Sequence, residues 1–419
     1  MKNLYFLASI IYVTTLLFSS CSGCSGRGGT ATSDRSKKDP IIPITKDTIK
    51  PTVKPTVNVY IENSGSMDGY VNGITEFEQT VYNYLSDILI SHTADNLNLY
   101  YINSEILKPN LPLEDFIQKL EPANFKRYGG RRGKSDIANV LDSVLEKSGK
   151  NQISILVTDG IFSPGRGQDA EQYLINQQIG IKREFARFLE RNPNAAVIVY
   201  QLSSNFKGSY YNKLDRITII NEQRPYYVWV IGDAKQLSNL RKQVPDSKFI
   251  NNGVQNVFTA IAGNQPVKYA VIPGSGKFNP SRRDSHSIEN LEKDSRSGKI
   301  QFAVNADFSD LLLDDSYLLN VANYDNDSKY ALSIRPSAAK GSSYSHILTF
   351  TSTDRVYAGN VSEKLKAILP DWIEKANDDE GITAVKGKTY GIKYQLSGVF
   401  DAFTFNNNYY TEIKININK

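Results

Sequence analysis

The sequence predicts an α/β protein: a doubly wound, mostly parallel sheet within residues 55–245, followed by an antiparallel β-sandwich-like domain within residues 300–419. Two patterns support this prediction. In the first range, apolar runs typical of buried strands alternate with stretches whose apolar residues recur at helical spacing, which predicts right-handed crossovers and helices on both faces of the sheet. In the second range, short runs with period-two alternation are separated by Asn, Asp, Gly and Ser, as in antiparallel sheets.

The first range contains its elements in a regular order. The predicted strands are VNVYI, LNLYYI, QISILV, AAVIVYQL and YYVWVIGD, and each is rich in β-branched or aromatic residues. The predicted helices cover residues 74–91, 135–148, 170–192 and 234–244. Ser135 or Asp136 is the expected cap of the second helix. Sites in such sheets form at the carboxyl ends of the strands, so the residues that follow each strand need the closest inspection.

The remaining chain is predicted in two parts. Residues 246–299 form a polar connector with a mobile loop, because Ser and charged residues dominate them. In the last domain we expect Trp372 to turn inward as a core aromatic. Its predicted strands cover residues 300–306, 317–323, 329–335, 346–352, 361–369, 389–396 and 409–417.

The N-terminus has the features of an export signal, residues 1–20. Lys2 supplies a positive charge, residues 4–18 are apolar, and Cys21 follows two serines. An apolar run of this length is shorter than the roughly 20 residues that a membrane span needs. The Phe-Ser-Ser-Cys ending resembles a bacterial lipobox, which implies that Cys21 is lipidated and that the chain is held in the cell envelope by an N-terminal lipid. An ordinary secretory signal with an incidental cysteine is the alternative.

The lipobox hypothesis makes a direct prediction for Cys21. Cys21→Ala should leave the chain without lipid, and the protein should then leave the membrane fraction during a high-salt wash. Cys24→Ala is the matched control, since this second cysteine lies three residues beyond the boundary. Fractionation and intact-mass measurement check the result. Membrane retention of the Cys21 variant at the level of the unaltered protein would exclude a lipid anchor.

Residues 21–54 are rich in Gly, Ser, Thr, Lys and Pro and are predicted to form a flexible tether. The chain has 49 Lys and Arg against 44 Asp and Glu, a net charge of +5. Residues 1–54 contain eight basic and three acidic side chains, so they hold the whole excess. The folded part is therefore neutral, and we expect no nucleic-acid binding. Cys21 and Cys24 are the only cysteines, which excludes a disulfide framework and a structural zinc site in the predicted domains.

Oxygen-bearing side chains follow two of the predicted strands and precede one helix. VNVYI continues into Glu62, Ser64 and Ser66, QISILV ends before Asp159, and Ser135 lies at the start of a helix. Carboxylates and hydroxyls are ligands that hard divalent cations prefer. If the three loops meet at one edge of the sheet, they form a candidate cation site.

This arrangement resembles a von Willebrand factor type A (VWA) domain over residues 55–245. Its metal-ion-dependent adhesion site takes an Asp-x-Ser-x-Ser loop, a Thr from a middle loop and the Asp of a Thr-Asp-Gly. The resemblance implies metal ligation by Glu62, Ser64, Ser66, Ser135 and Asp159, with Mg²⁺ or Mn²⁺ as the ion and an acidic residue of a protein partner as the ligand. Glu62 replaces the family's Asp, so a metal-free site, in which the same groups only hydrogen-bond each other, is the alternative.

A basic loop, FKRYGGRRGKSD, ends next to the predicted ligand Ser135. One hypothesis is that its cations steer an acidic partner towards the metal, which would act mainly on the association rate. The alternative is a solvated, mobile loop. The candidate steering residues are Lys126, Arg127, Arg131, Arg132 and Lys134.

These observations favour a lipid-anchored cell-envelope binding protein, periplasmic or surface-exposed, over an enzyme. The three histidines, His92, His286 and His346, lie in unrelated stretches, and the sequence lacks a nucleophile elbow or a phosphate-binding loop. A metal-free structural component of an envelope complex is the competing hypothesis. A hydrolase that uses the metal as a Lewis acid is a third, and it would need a base that the sequence does not identify.

Overall fold

The computed structural model describes residues 54–94, 96–128, 130–133, 136–164, 167–326, 329–338 and 342–418. The predicted signal peptide, Cys21 and nearly all of the tether lie outside these residues. The described residues belong to one compact unit, Val53–Lys419. Both of its hydrophobic cores consist of residues between Val57 and Ile417, so this unit contains what it needs to fold on its own. Within the described part, no helix is both long enough and apolar enough to span a bilayer.

Helices and strands alternate in the first half of this unit, and strands predominate in the second. Short 3₁₀ segments are Gly65–Val71, Asp246–Lys248 and Val321–Asn323. The helices are α1 (Glu76–Ile90), α2 (Leu113–Gln118), α3 (Pro122–Arg127), α4 (Ile137–Lys147), α5 (Ala170–Arg191), α6 (Ala234–Gln243), α7 (Asp315–Leu318), α8 (Trp372–Lys375) and α9 (Ile392–Phe403). The strands are β1 (Thr56–Glu62), β2 (Leu97–Ile102), β3 (Ile106–Leu107), β4 (Gln152–Thr158), β5 (Ala195–Tyr211), β6 (Ile217–Asp233), β7 (Asn256–Ile261), β8 (Tyr269–Val271), β9 (Lys277–Pro280), β10 (Ser287–Glu292), β11 (Ile300–Ala306), β12 (Tyr324–Asn326), β13 (Ala331–Pro336), β14 (His346–Ser352), β15 (Gly359–Lys366), β16 (Asn377–Asp378), β17 (Thr389–Tyr390) and β18 (Tyr409–Asn418).

The chain is therefore α/β, as predicted, with a mixed seven-stranded sheet of order β3-β2-β1-β4-β6-β5-β7. Strands β2, β1 and β4 are parallel, whereas β3, β6, β5 and β7 pair antiparallel with their neighbours. The prediction of a mostly parallel sheet is wrong. Only residues 212–216 separate β5 from β6, and a connection this short can join antiparallel strands but cannot make a crossover.

Strands β5 and β6 extend well beyond the rest of the sheet. They pair from Ala195 and Asp233 at one end to Tyr211 and Ile217 at the other. Strand β4 pairs with β6 and β7 pairs with β5 only over about the first third of the β5–β6 hairpin. The remainder, residues 202–211 and 217–226, is a two-stranded ribbon that reaches past the carboxyl end of β1. We call it the β5–β6 ribbon.

The seven-stranded sheet separates two hydrophobic cores. Alternate residues of β1 contribute to opposite sides: Val59 belongs to the core beneath α1 and α6, and Tyr60 to the core beneath α4, α5 and α9. The first core continues into the C-terminal strands, for example through Phe302 and Phe350, whose rings stack at 4.8 Å. Helix α9 belongs to the second core, and Phe403 contacts Phe185 of α5 with ring centroids 6.2 Å apart. The C-terminal segment thus helps to cover the first sheet.

The C-terminal residues form two larger sheets, of order β12-β15-β18-β10-β9 and β13-β14-β11-β8, and a two-stranded parallel sheet of β16 and β17. In the two larger sheets all pairs are antiparallel except β10 with β18. Burial alternates along β14 and β18, so the period-two pattern correctly predicted these strands. The range for which we expect a connector, 246–299, contains strands β7 to β10. Trp372 is half-buried rather than central, and its Nε1 donates to Val257 O at 3.1 Å.

Two predicted strands are wrong. Residues 317–323 form the end of α7 and a 3₁₀ segment, in which Asn320 accepts a hydrogen bond from Ala322 N. Residues 389–396 contain the two-residue β17 and the start of α9. Gly391 adopts a positive φ of 80°, which ends the strand and turns the chain into the helix. The buried residues of α9 continue at helical spacing to Phe403, beyond the short window that suggested a strand.

Candidate functional site

The carboxyl ends of β1 and β4 lie side by side because these two strands are parallel neighbours. Glu62 is the last residue of β1, and Asp159 follows the last residue of β4. Ser64 and Ser66 lie in the turn after β1, and with Glu62 they line a cavity of about 20 Å³. A water molecule needs roughly 10–15 Å³ measured in this way, so the cavity has room for about one water or ion. The structure thus brings four of the five predicted ligands to one edge, and Ser135 lies outside the described residues.

Hydrogen bonds satisfy the two carboxyl groups unequally. Thr158 Oγ1 donates to Glu62 Oε2, and Thr158 in turn accepts from Gly160 N at 2.9 Å. Asp159 Oδ1 accepts from Ile161 N at 3.1 Å, whereas Asp159 Oδ2 is buried without a hydrogen-bond partner among the described residues. A buried carboxylate oxygen left in this state is costly and therefore needs an explanation.

The two carboxyl groups are almost fully buried, Glu62 with 3% and Asp159 with 2% of its surface exposed. Burial and, to a lesser extent, the nearby charge of Glu62 raise the pKa of Asp159 to about 7. The Ile161 N–H and the Ser66 hydroxyl act in the opposite direction, as does the positive charge of Arg224. Asp159 therefore exchanges its proton near neutral pH, where a divalent cation would compete with that proton for the carboxylate.

The turn that holds Ser64 is fixed from several sides. Asn63 is fully buried, donates to Phe125 O at 3.2 Å and accepts from Asn103 Nδ2 at 2.8 Å. Arg132 donates from Nε to Asn63 O at 2.8 Å and from Nη2 to Ser64 O at 3.3 Å. The two serine hydroxyls are 3.0 Å apart. These bonds present both hydroxyls to the cavity in a defined geometry.

Arg132 differs from the other basic residues of its loop. Its guanidinium also forms an ion pair with Asp68, its backbone carbonyl accepts from Gly65 N at 2.9 Å, and 15% of its side chain is exposed. Lys126, Arg127 and Arg131 are exposed. Lys134 lies outside the described residues. The cation of Arg132 is thus engaged within the protein, and the steering role remains a prediction for the three exposed residues.

Three side chains shape the site although the sequence analysis assigned none of them as a ligand. Thr158 belongs to the Thr-Asp-Gly motif, but its bond to Glu62 depends on the pairing of β1 with β4. Asn63 lies between two predicted ligands, yet its partners are distant in sequence. Tyr211, at the tip of the β5–β6 ribbon, lines the cavity although it lies almost 150 residues from Glu62. No local pattern signals such a contact.

The β5–β6 ribbon packs against the 3₁₀ segment Gly65–Val71, which follows the first loop. Tyr70 Oη donates to Pro225 O at 2.5 Å, and the Tyr70 ring meets Phe206 edge-on at 4.9 Å. A side chain on Gly208 would come within 2.7 Å of the Gly69 backbone. The close approach of two glycines therefore lets the ribbon cover the loop.

Within the described ranges, no cluster of three or more His, Cys, Asp and Glu side chains could hold a metal ion. The donors at this edge are instead two carboxyl groups and the hydroxyls of Ser64 and Ser66. Comparisons with protein-family models, with curated proteins and with solved structures found no match to this chain.

Proposed function

We propose that the chain is a lipid-anchored cell-envelope protein whose residues 55–245 form a VWA-like binding domain. In this proposal a divalent cation, Mg²⁺ or Mn²⁺, lies at the candidate site, and an acidic side chain of a protein partner completes its coordination. The C-terminal sheets form a sandwich that supports or presents this domain. The observation that carries the proposal is the Oδ2 of Asp159, which is buried and has no hydrogen-bond partner among the described residues, beside Glu62 and a pair of serine hydroxyls.

The donor set suits a hard cation. Asp159 would bind through its free oxygen, and Ser64 and Ser66 through hydroxyls that are already oriented. Glu62 would contribute a second carboxylate. Thr158 donates to one of its oxygens, so the other oxygen would bind the ion, directly or through a water. Mg²⁺ usually retains several waters, one of which a carboxylate from outside can replace. A bound cation would also offset the repulsion and burial that now raise the pKa of Asp159.

Calorimetric titration of residues 54–419 with MgCl₂ and MnCl₂ tests this proposal. We expect saturable binding to the unaltered protein and at least a tenfold loss of affinity in Asp159→Asn, which keeps the shape of the side chain but removes the charge. Asp115→Asn, an exposed position in α2, is the matched control. Without metal, Asp159→Asn should be at least as stable as the unaltered protein, because it removes a repulsive buried carboxyl. The same isotherm in both proteins would refute the site.

One observation favours the metal-free scaffold hypothesis. Thr158 donates a hydrogen bond to Glu62, and a proton on Asp159 removes the second negative charge. The two carboxyl groups can then lie side by side without an ion. If this hypothesis holds, neither cation should release heat nor raise the melting temperature. The hydrolase hypothesis gains no support, since none of the histidines lines the cavity.

A further inference from the structure

A second and larger cavity, of about 520 Å³, lies between α6, the start of α7 and the first residue of β14. It shares no lining residue with the candidate metal site. Its apolar wall consists of Pro245, Phe308, Leu312, Leu313 and Leu318. Pockets of this size with an apolar wall and a few polar groups are typical sites for small ligands.

The polar end of this cavity contains His346, which has 4% of its surface exposed. Its Nδ1 lies 2.9 Å from Ser345 Oγ, which accepts from Phe308 N at 2.7 Å and lies 3.4 Å from Ala306 O. The Ser345 hydroxyl can accept from Nδ1–H or donate to Nδ1, so both neutral tautomers are open to the ring. The other ring nitrogen, Nε2, is buried without a hydrogen-bond partner among the described residues, and it carries the lone pair when Nδ1 carries the proton.

The carboxylate that faces His346 belongs to Asp315. Its Oδ1 lies 3.5 Å from Nε2, too far for a good hydrogen bond. Burial lowers the pKa of His346, so the imidazole is neutral at pH 7.5 and supplies no counter-charge. The neutral ring and the carboxylate therefore face each other across a gap, and in the tautomer with the proton on Nδ1 both present an acceptor to it.

The other charges of the lining are already paired. Arg241 binds Asp246 at 2.5 Å, Asp314 at 2.8 Å and the carbonyl of Leu312 at 2.7 Å. Lys242 pairs with Asp310 at 2.9 Å. Among the described lining residues, Asp315 is thus the carboxylate without a cationic partner. An anionic ligand would meet this charge with no free cation to attract it, so the cavity favours a positive group.

We propose that this cavity binds a primary ammonium group carried on an apolar chain. One N–H donates to Asp315 Oδ1 and another to His346 Nε2, while the chain lies against the leucine and phenylalanine wall. An ammonium carries three donors and one positive charge, so it can join the carboxylate of Asp315 to the lone pair of Nε2 3.5 Å away, and its binding selects the tautomer with the proton on Nδ1. The group can come from a free amine or from a lysine side chain.

The imidazole of His346 can report binding directly. The chain has only three histidines, so the resonances of His92 and His286 serve as internal references in ¹H–¹³C spectra of residues 54–419 at pH 7.5. The probes are n-hexylamine, 1-hexanol, hexanoate and a capped Gly-Lys-Gly peptide. Asp315→Asn removes the exposed carboxylate without a change of shape. Asp371→Asn is the control, since Asp371 is exposed and makes no side-chain capping bond.

We expect hexylamine to shift the His346 resonances saturably, with at least tenfold weaker effects of hexanol and hexanoate. Asp315→Asn should weaken hexylamine binding at least tenfold, and Asp371→Asn should not change it. A preference for the peptide over hexylamine would assign the cavity to lysine side chains, and the reverse order to free amines. Equal responses to hexylamine and hexanol, or unchanged affinity in Asp315→Asn, would overturn the proposal.

Discussion

Replacement of Glu363 by leucine is expected to stabilise the protein, and the gain should grow with pH. Glu363 lies in the middle of β15 between the core residues Val361 and Leu365, with 2% of its surface exposed. Both carboxyl oxygens are buried without a hydrogen-bond partner among the described residues. Burial, together with the charge of Asp325, raises the pKa of Glu363 to about 8. An unpartnered buried carboxyl is costly, and it is most costly when ionised.

The pH dependence has a definite sign. The folded-state pKa of Glu363 lies above the unfolded value of about 4.3, so the folded state holds the proton more tightly. Stability that depends on this proton is fully present below pH 4 and is lost as pH rises towards 8. From pH 5.5 to pH 9 the unaltered protein should lose about 3 kcal/mol relative to Glu363→Leu.

Urea unfolding at pH 5.5, 7 and 9 measures this difference. Glu363→Gln is the matched control, because it abolishes the titration yet keeps a buried polar group without a partner. It should remove the pH dependence while leaving the protein less stable than Glu363→Leu. Parallel stability curves for the unaltered protein and Glu363→Leu across this range would show that Glu363 is not buried as described.

Arg132→Ala is expected to have the largest effect on the candidate site. It removes two hydrogen bonds to the first loop and leaves the carboxylate of Asp68 without its cation. Loss of one partner from a largely buried pair costs about 2–3 kcal/mol in unfolding free energy. Because the same bonds orient Ser64, we also expect at least a tenfold loss of Mg²⁺ affinity.

Arg131→Ala provides the comparison, since Arg131 is the exposed neighbour. It should leave unfolding free energy and metal affinity within error and change only the salt dependence of partner association. Chemical unfolding measures the free energy of unfolding of both variants, and calorimetry measures their metal affinity. Together they show whether Arg132 stabilises the loop while Arg131 only lies beside the site. If the two variants behaved alike, Arg132 would have no special part in the loop's structure.

The sequence predicted those parts of the fold that depend on local patterns. The apolar runs of β1 and β4 implied parallel neighbours, which brought Glu62 and Asp159 to one edge. The expected helix cap is present, with Asp136 accepting from Ala138 N at 3.0 Å. Apolar alternation likewise identified β14 and β18.

The parts that sequence reasoning missed depend on contacts between distant residues. The polar stretch that follows AAVIVYQL resembles a loop, and only its pairing with β6 makes it the β5–β6 ribbon that brings Tyr211 to the cavity. Alternation with Val361 and Leu365 places Glu363 on the inward face of β15, but the sequence does not show that its carboxyl lacks a hydrogen-bond partner among the described residues, because this depends on the strands packed around it. In the sequence Arg132 is one of five cations in the same loop, and only its bonds to Asn63, Ser64 and Asp68 distinguish it from the others.

The position of α9 has a consequence for the order in which the protein matures. Gln395 of α9 is fully buried and donates to Gly160 O, one residue beyond Asp159. The helix also covers Ile181 and Phe185 of α5. Synthesis proceeds from the N-terminus, so the ribosome makes this helix long after the residues of the candidate site. A nascent chain that already contains Glu62, Ser64, Ser66 and Asp159 still exposes the apolar face of α5. The candidate site can therefore reach its final form only after α9 has emerged and packed against α5.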